Sequence, residues 1–159
     1  MHLENNYYYF QSAVRPSFCD DIRVNALVKS GKLAIPNEVD SDVVLMDDDW
    51  LYKTLHPYIH EANEEAGWNF DWGFSESCQF RKYTEGAFSS WHYDSSRKLS
   101  VMINLSDDTE YEGGDLEIES KICKEIKPKG SIVVFPSFVK HRIKPVTFHL
   151  VTSISKLCQ

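Results

Sequence analysis

Apolar residues recur along this chain with two different periods, and the period changes near residue 69. Before that point the spacing is largely helical. Residues 7–13 are aromatic and β-prone; then Pro16 and Ser17 can open a helix predicted over 18–29. Phe18, Ile22 and Ala26 share one face of it, with Leu27 beside them, and Gly31 offers a stop. Residues 43–46 read as a strand. The acidic run Asp47, Asp48, Asp49 precedes a second helical pattern over 50–66, with Leu51, Leu55, Ile59 and Ala62 on one side. Carboxylates at a helix start suit the helix dipole, which explains the run without a metal site. Pro57 lies inside this pattern and is expected to kink or split the helix, and Gly67 ends it.

From Asn69 onward the period falls to two. Phe70, Trp72 and Phe74 alternate with polar neighbours, and strands are predicted over 78–83, 99–105, 115–119, 131–135 and 150–155. Turn residues separate them: Glu85-Gly86, Ser106 to Asp108, Gly113-Gly114, Pro128 to Gly130 and Pro136-Ser137. Many short strands so spaced suggest a sandwich or barrel, of which the jelly roll is the common single-domain form. The expected fold is mainly β with N-terminal helices packed on one side of the roll. With no repeat, linker or low-complexity tract, the 159 residues are expected to form one domain, 1–68 helical and 69–159 the jelly-roll core.

Composition narrows the class. Hydrophobic residues make up 42% and aromatic residues 13%, as in a globular chain with a filled core. The net charge of −7 argues against general nucleic-acid or anionic-membrane binding, which need clustered Lys and Arg. No stretch approaches a membrane span and residues 1–10 lack a basic-then-apolar leader pattern, so a soluble cytoplasmic protein is expected. Cys19, Cys78, Cys123 and Cys158 lie far apart and read as free thiols.

The chemistry concentrates in Trp91-His92-Tyr93-Asp94. On an extended strand, residues two apart point the same way, so His92 and Asp94 can grip one ion from one side. A third ligand must come from elsewhere, and His141 follows the strand-turn unit at 131–137. Two His and one carboxylate on one face of iron(II) leave positions open for cosubstrate and dioxygen, whereas a thiolate set would favour zinc. By itself a His-x-Asp triplet is common, and His2, His56, His60 and His149 show that histidine is not scarce here.

The order of features around the triplet carries more. Gln79-Phe80-Arg81-Lys82-Tyr83 precedes it, and Arg97-Lys98-Leu99-Ser100 and Asn104-Leu105-Ser106 follow. Then come Tyr111-Glu112-Gly113-Gly114-Asp115-Leu116, Pro128-Lys129-Gly130-Ser131, Phe135-Pro136-Ser137, and His141-Arg142 with Pro145-Val146-Thr147. From about residue 7 to 147 the chain resembles the prolyl-hydroxylase-type, or PKHD-type, 2-oxoglutarate and iron(II) dioxygenases, whose core is a double-stranded β-helix of the jelly-roll, cupin-like kind. The resemblance implies iron(II) at His92, Asp94 and His141. It implies Tyr83 as a donor to the 2-oxoglutarate carboxylate and Leu116 packed against the cosubstrate. It further implies dioxygen as co-reactant, hydroxylation of a peptidyl side chain with proline first, and ascorbate to keep the iron reduced. Trp91 and Phe88 are expected to shape the pocket wall, and Asn104 to bond near the site or satisfy backbone.

One departure stands out. The family places an Arg or Lys nine or ten residues past the last His, paired with the far carboxylate of 2-oxoglutarate; here those positions are Leu150 and Val151. The family's glycine turn after Pro-Val-Thr reads as shortened, which would put His149 in the cation's place. A protonated His lacks the bidentate fork of Arg. Arg142 and Lys144 are alternatives close to the metal-ligand strand. The competing class is therefore a metal-binding jelly-roll module without turnover; a zinc hydrolase on the same ligands lacks a general base. The acidic, turn-rich stretch 34–49, with Asp40 and Asp42, is read as either a surface loop or a lid favouring a basic peptide.

Overall fold

A computed structural model of the chain describes residues 2–4, 6–30, 42–75, 77–94 and 96–159. Helix α1 spans Pro16–Ser30, with proline in its first turn, where a missing N–H costs nothing. Its buried face is Cys19, Ile22 and Ala26. Phe18 is only half-buried, edge-on to Trp50 at 5.4 Å, and Leu27 is exposed, so the stripe is rotated toward Cys19 relative to the expected one. Helix α2 spans Asp49–Glu65 and buries Leu51, Leu55, Ile59 and Ala62 completely, as their spacing predicts. Pro57 does not split it. That proline lies on the solvent face, where the Lys53 carbonyl that loses its donor is open to solvent and needs no protein partner. Gly67, at φ 72°, supplies the left-handed residue that ends the helix.

The strands are β1 (His2–Glu4), β2 (Tyr7–Phe10), β3 (Asp42–Met46), β4 (Cys78–Tyr83), β5 (Ser89–His92), β6 (Leu99–Asn104) and β7 (Tyr111–Gly113). They continue with β8 (Leu116–Ile118), β9 (Lys121–Ile122), β10 (Ile132–Pro136), β11 (His141–Ile143), β12 (Val146–His149) and β13 (Val151–Cys158). Seven form one antiparallel sheet in the order β1-β2-β10-β6-β13-β4-β3; β5-β11-β8-β9 form a second, and β12-β7 a short third. This is the expected mainly β jelly roll. Strands from the first 68 residues pair directly with later ones, β2 with β10 and β3 with β4, so the helical part is woven into the main sheet. The alternating run Phe70, Trp72, Phe74 is not a strand. It is irregular, tied by Asn63, whose side chain bonds both the N–H and the carbonyl of Phe70, and the rings pack half-buried on the helix-side core. Of the 34–49 stretch, residues 34–41 lie outside the described residues, as does Gly31, and the remainder forms β3 and the start of α2.

Alternation splits the main sheet into two faces. Leu99, Val101, Ile103, Ile132, Val134, Phe80 and Ile154 join the helices in one core. Tyr7, Tyr83, Val133, Phe135 and Val151 face the second sheet, where Leu116, Ile118 and Ile143 meet them. The turn into β8 needs Gly113: at φ 73°, a Cβ there would fall 2.4 Å from the Pro145 carbonyl oxygen. All four cysteines are buried thiols. Among the described residues no helix is long and apolar enough to cross a membrane.

Candidate metal centre

The second sheet builds the centre. β5 and β11 are antiparallel neighbours, and their register sets His92 directly opposite His141, with ring centroids 4.2 Å apart. The two ligand strands that lie almost fifty residues apart in sequence thus present adjacent imidazoles. Each ring is oriented from behind: His92 Nδ1 bonds the Ser90 carbonyl at 2.7 Å and His141 Nδ1 the Val139 carbonyl at 2.9 Å. Those bonds fix the tautomers and leave both Nε2 atoms with lone pairs facing forward. Burial holds the His141 imidazolium in disfavour and lowers its pKa, helped by nearby His92 and opposed by the Val139 carbonyl and Asp94.

Asp94 completes the group just past β5. Its N–H bonds the Ser137 carbonyl at 2.9 Å, anchoring the ligand loop to the turn after β10. One carboxylate oxygen lies 3.8 Å from His92 Nε2 and the other 3.6 Å from His141 Nε2. Ser100 Oγ, from β6, donates to Asp94 at 2.6 Å and sits 2.8 Å from Ser137 Oγ. Phe135 packs edge-on against His141 at 4.7 Å. The three ligand atoms lie within 4.8 Å of one another. A first-row ion with bonds of about 2.1 Å needs neighbouring ligand atoms roughly 3 Å apart, so a small inward movement suffices. Two neutral imidazoles and a carboxylate are a donor set for a borderline divalent metal, and the residues fit one.

This triad opens on a cavity walled by Gln79, Arg81, Tyr83, Met102, Leu116 and Phe135. Tyr83 and Leu116 also line a second, adjoining cavity with Asn104, Tyr111, Lys127 and Val151. Two of the three residues expected at the cosubstrate, Tyr83 and Leu116, therefore share a space with the triad. Burial raises the Tyr83 hydroxyl above its ordinary pKa, while the neighbouring Arg81 guanidinium acts the other way through its charge and a hydrogen bond. Asn104 satisfies backbone: it donates to the carbonyls of Ile126 and Lys127 and accepts from the Ser106 N–H.

Other expected residues stand elsewhere. His149 is exposed on β12, its ring against Phe148, and lines neither cavity. Its φ of 59° means that it occupies a left-handed turn position of the kind glycine usually fills. Val151, ten residues past His141, is buried and faces the second cavity. Arg142 is drawn to Glu117 at 2.7 Å and over the Trp91 ring at 4.8 Å, and Lys144 is on neither wall. Trp91 and Phe88 are partly exposed and outside the cavity walls, correcting their expected part in shaping the pocket. Ser100, Ser137 and Arg81 went unnoticed in the sequence as site residues. A serine between Leu99 and Val101 in a buried strand was the available signal.

Comparison with known proteins gives a consistent picture. A family model described as the 2OG-Fe(II) oxygenase superfamily matches residues 78–156. A PKHD-type hydroxylase of Synechococcus sp. (strain CC9311) is 37% identical over 109 residues, covering 58% of this chain and 49% of that protein. A second, of Hyphomonas neptunium (strain ATCC 15444), is 47% identical over 51 residues, 31% of this chain and 23% of its own. The chain thus spans at most about half the length of the curated relatives it matches. Among solved structures, the viral collagen prolyl hydroxylase of Paramecium Bursaria Chlorella virus-1, in its 2OG complex, superposes with a TM-score of 0.73 at 18% identity. That match covers 97% of this chain and 95% of the viral one. The Trichoplax adhaerens prolyl hydroxylase, solved with a hypoxia inducible factor peptide fragment, gives 0.73 at 18% identity over 97% and 83%. At such identities the likeness concerns the fold.

Proposed function

The chain belongs to the 2OG-Fe(II) oxygenase superfamily, and from that premise we propose that it is a 2-oxoglutarate-dependent hydroxylase of an unactivated C–H bond in a peptidyl side chain, proline first. The observation that carries this reading is the convergence of His92 Nε2, His141 Nε2 and the Asp94 carboxylate at the edge of an inward-opening cavity. Bound there, iron(II) with 2-oxoglutarate and dioxygen supplies the oxidation, releasing succinate and carbon dioxide and placing a hydroxyl on substrate carbon.

The chain's own residues supply geometry and seclusion. His92, Asp94 and His141 would hold the ion beside the cavity. Ser100 and the carbonyls of Ser90 and Val139 keep the ligands aimed, so little reorganisation is needed on metal uptake. Met102, Leu116, Phe135 and Ile143 form the apolar part of the cavity wall, beside polar Gln79, Arg81 and Ser153. Tyr83, kept protonated by burial, is a neutral hydroxyl able to donate to a carboxylate. A peptide as substrate is supported by the kind of relatives and by four exposed aromatics, Phe88, Trp91, Tyr93 and Phe138, flanking the ligand-bearing segments. Such rings suit contact with proline. Ascorbate as reductant belongs to the same proposal.

The second reading, a metal-binding module without turnover, is favoured by one observation: apolar Val151 where the family's cation is expected. One experiment separates the two. Anaerobic protein is mixed with iron(II) and 2-oxoglutarate, the visible charge-transfer band of the chelate is recorded, and oxygen is then admitted with and without ascorbate. A band followed by succinate is expected. Iron uptake with neither would replace the hydroxylase by the module.

A further inference from the structure

We infer that Arg81, from the strand beside the one that lacks the expected cation, binds the far carboxylate of the 2-oxo acid, with Tyr83 donating next to it. The inference rests on the hydroxylase reading above and assigns its missing contact.

β4 and β13 are antiparallel neighbours, with Tyr83 opposite Val151 and Arg81 opposite Ser153. Residues two apart share a face, so Arg81, Tyr83, Val151 and Ser153 all belong to the cavity side of the sheet. Adjacent strands are about 4.8 Å apart. Arg81 therefore starts one strand over and one inward position along from Val151, within the reach of a long side chain. It lines the same cavity as the triad, and among the described residues of that wall it is the one guanidinium or ammonium.

Its surroundings suit the task. Nη2 donates to Gln79 Oε1 at 2.6 Å, and Tyr83 feels both its charge and a hydrogen bond from it. A guanidinium has five donors in a planar fork, so it can keep such bonds and still meet a carboxylate with two. The other nearby cations stand off this wall. Lys127, in the second cavity, has its Nζ 2.7 Å from Asp115 and lies over the Tyr111 ring. Arg142 is held by Glu117 and Trp91 outside the cavity, and His149 is exposed.

The test compares two acids that differ only at the far end: 2-oxoglutarate, and 2-oxopentanoate, which has a methyl group there. Each is titrated anaerobically into the iron(II) protein, with the charge-transfer band reporting Kd without turnover. Arg81→Gln should weaken 2-oxoglutarate roughly thirtyfold or more and leave 2-oxopentanoate unchanged. Arg81→Lys, which keeps the charge and is the gentler change to the fold, should show a smaller loss confined to the same acid. Adding Val151→Arg to Arg81→Gln should restore part of it. Equal weakening of both acids, no weakening of either, or a selective loss in Lys127→Gln instead would overturn the assignment. Absence of any band in the unaltered protein would fell the hydroxylase reading and this inference with it, so the two failures look different.

Discussion

The two faces of the main sheet differ in what they bury. On β10, Ile132 and Val134 meet the helices while Val133 and Phe135 meet the second sheet. On β6, Leu99, Val101 and Ile103 face the helices, and the intervening Ser100, Met102 and Asn104 face the roll. The helix-side core is apolar and fully buried at its centre. Leu51, Leu55, Ile59 and Ile132 have no exposed surface there. The roll side keeps Ser100, Asn104, Tyr83 and His141 among its apolar residues and encloses the cavities. Buried polar groups are costly without partners, and here they have them: Ser100 with Asp94 and Ser137, Asn104 with two carbonyls, His141 with Val139. One sheet thus separates stability from chemistry by the two-residue alternation alone.

Four substitutions would break or sharpen that division. Asp94→Ala removes the one anionic ligand and should abolish iron(II) uptake in a calorimetric titration, with little change in the denaturation midpoint of the metal-free protein. Retained uptake would mean that the roll face does not house the metal. Leu55→Ala, on the opposite face, should cost about 2–5 kcal/mol of unfolding free energy in urea. Its folded fraction should bind iron normally, and a parallel loss of iron affinity would show the faces to be coupled. Ser100→Ala removes the hydroxyl behind Asp94 and should weaken iron binding roughly 10–100-fold. Smallest, Arg142→Ala deletes a partly exposed ion pair and ring contact outside the cavity. It should cost about 1 kcal/mol or less and leave iron binding alone.

Much of the frame could be read in advance. The buried stripe of α2 and the strand at 78–83 follow from periodicity that neighbours in sequence set by themselves. Short strands escaped: β7, β9, β11 and β12 have two to four residues each, too few to display a period. Phe70, Trp72 and Phe74 displayed one without forming a strand, because the Asn63 side chain takes the Phe70 backbone's hydrogen bonds and the run meets β13 only at a single bridge, Phe74 to Cys158. In the site, His92 and Asp94 were legible because both sit in one tetrapeptide, and Ser100 was not, because its role depends on which loop β6 passes under.

By itself the sequence determined the buried face of α2, the alternation that gives a strand an inner and an outer side, and the donor atoms available to a metal. These are properties of covalent geometry within a few residues. Only the tertiary structure decided that His141 lies opposite His92, that Val151 fills the inward position expected of a cation, and that Arg81 lines the wall one strand away. Strand order and register join residues distant in the chain, and a pairing between strands is written in neither strand alone.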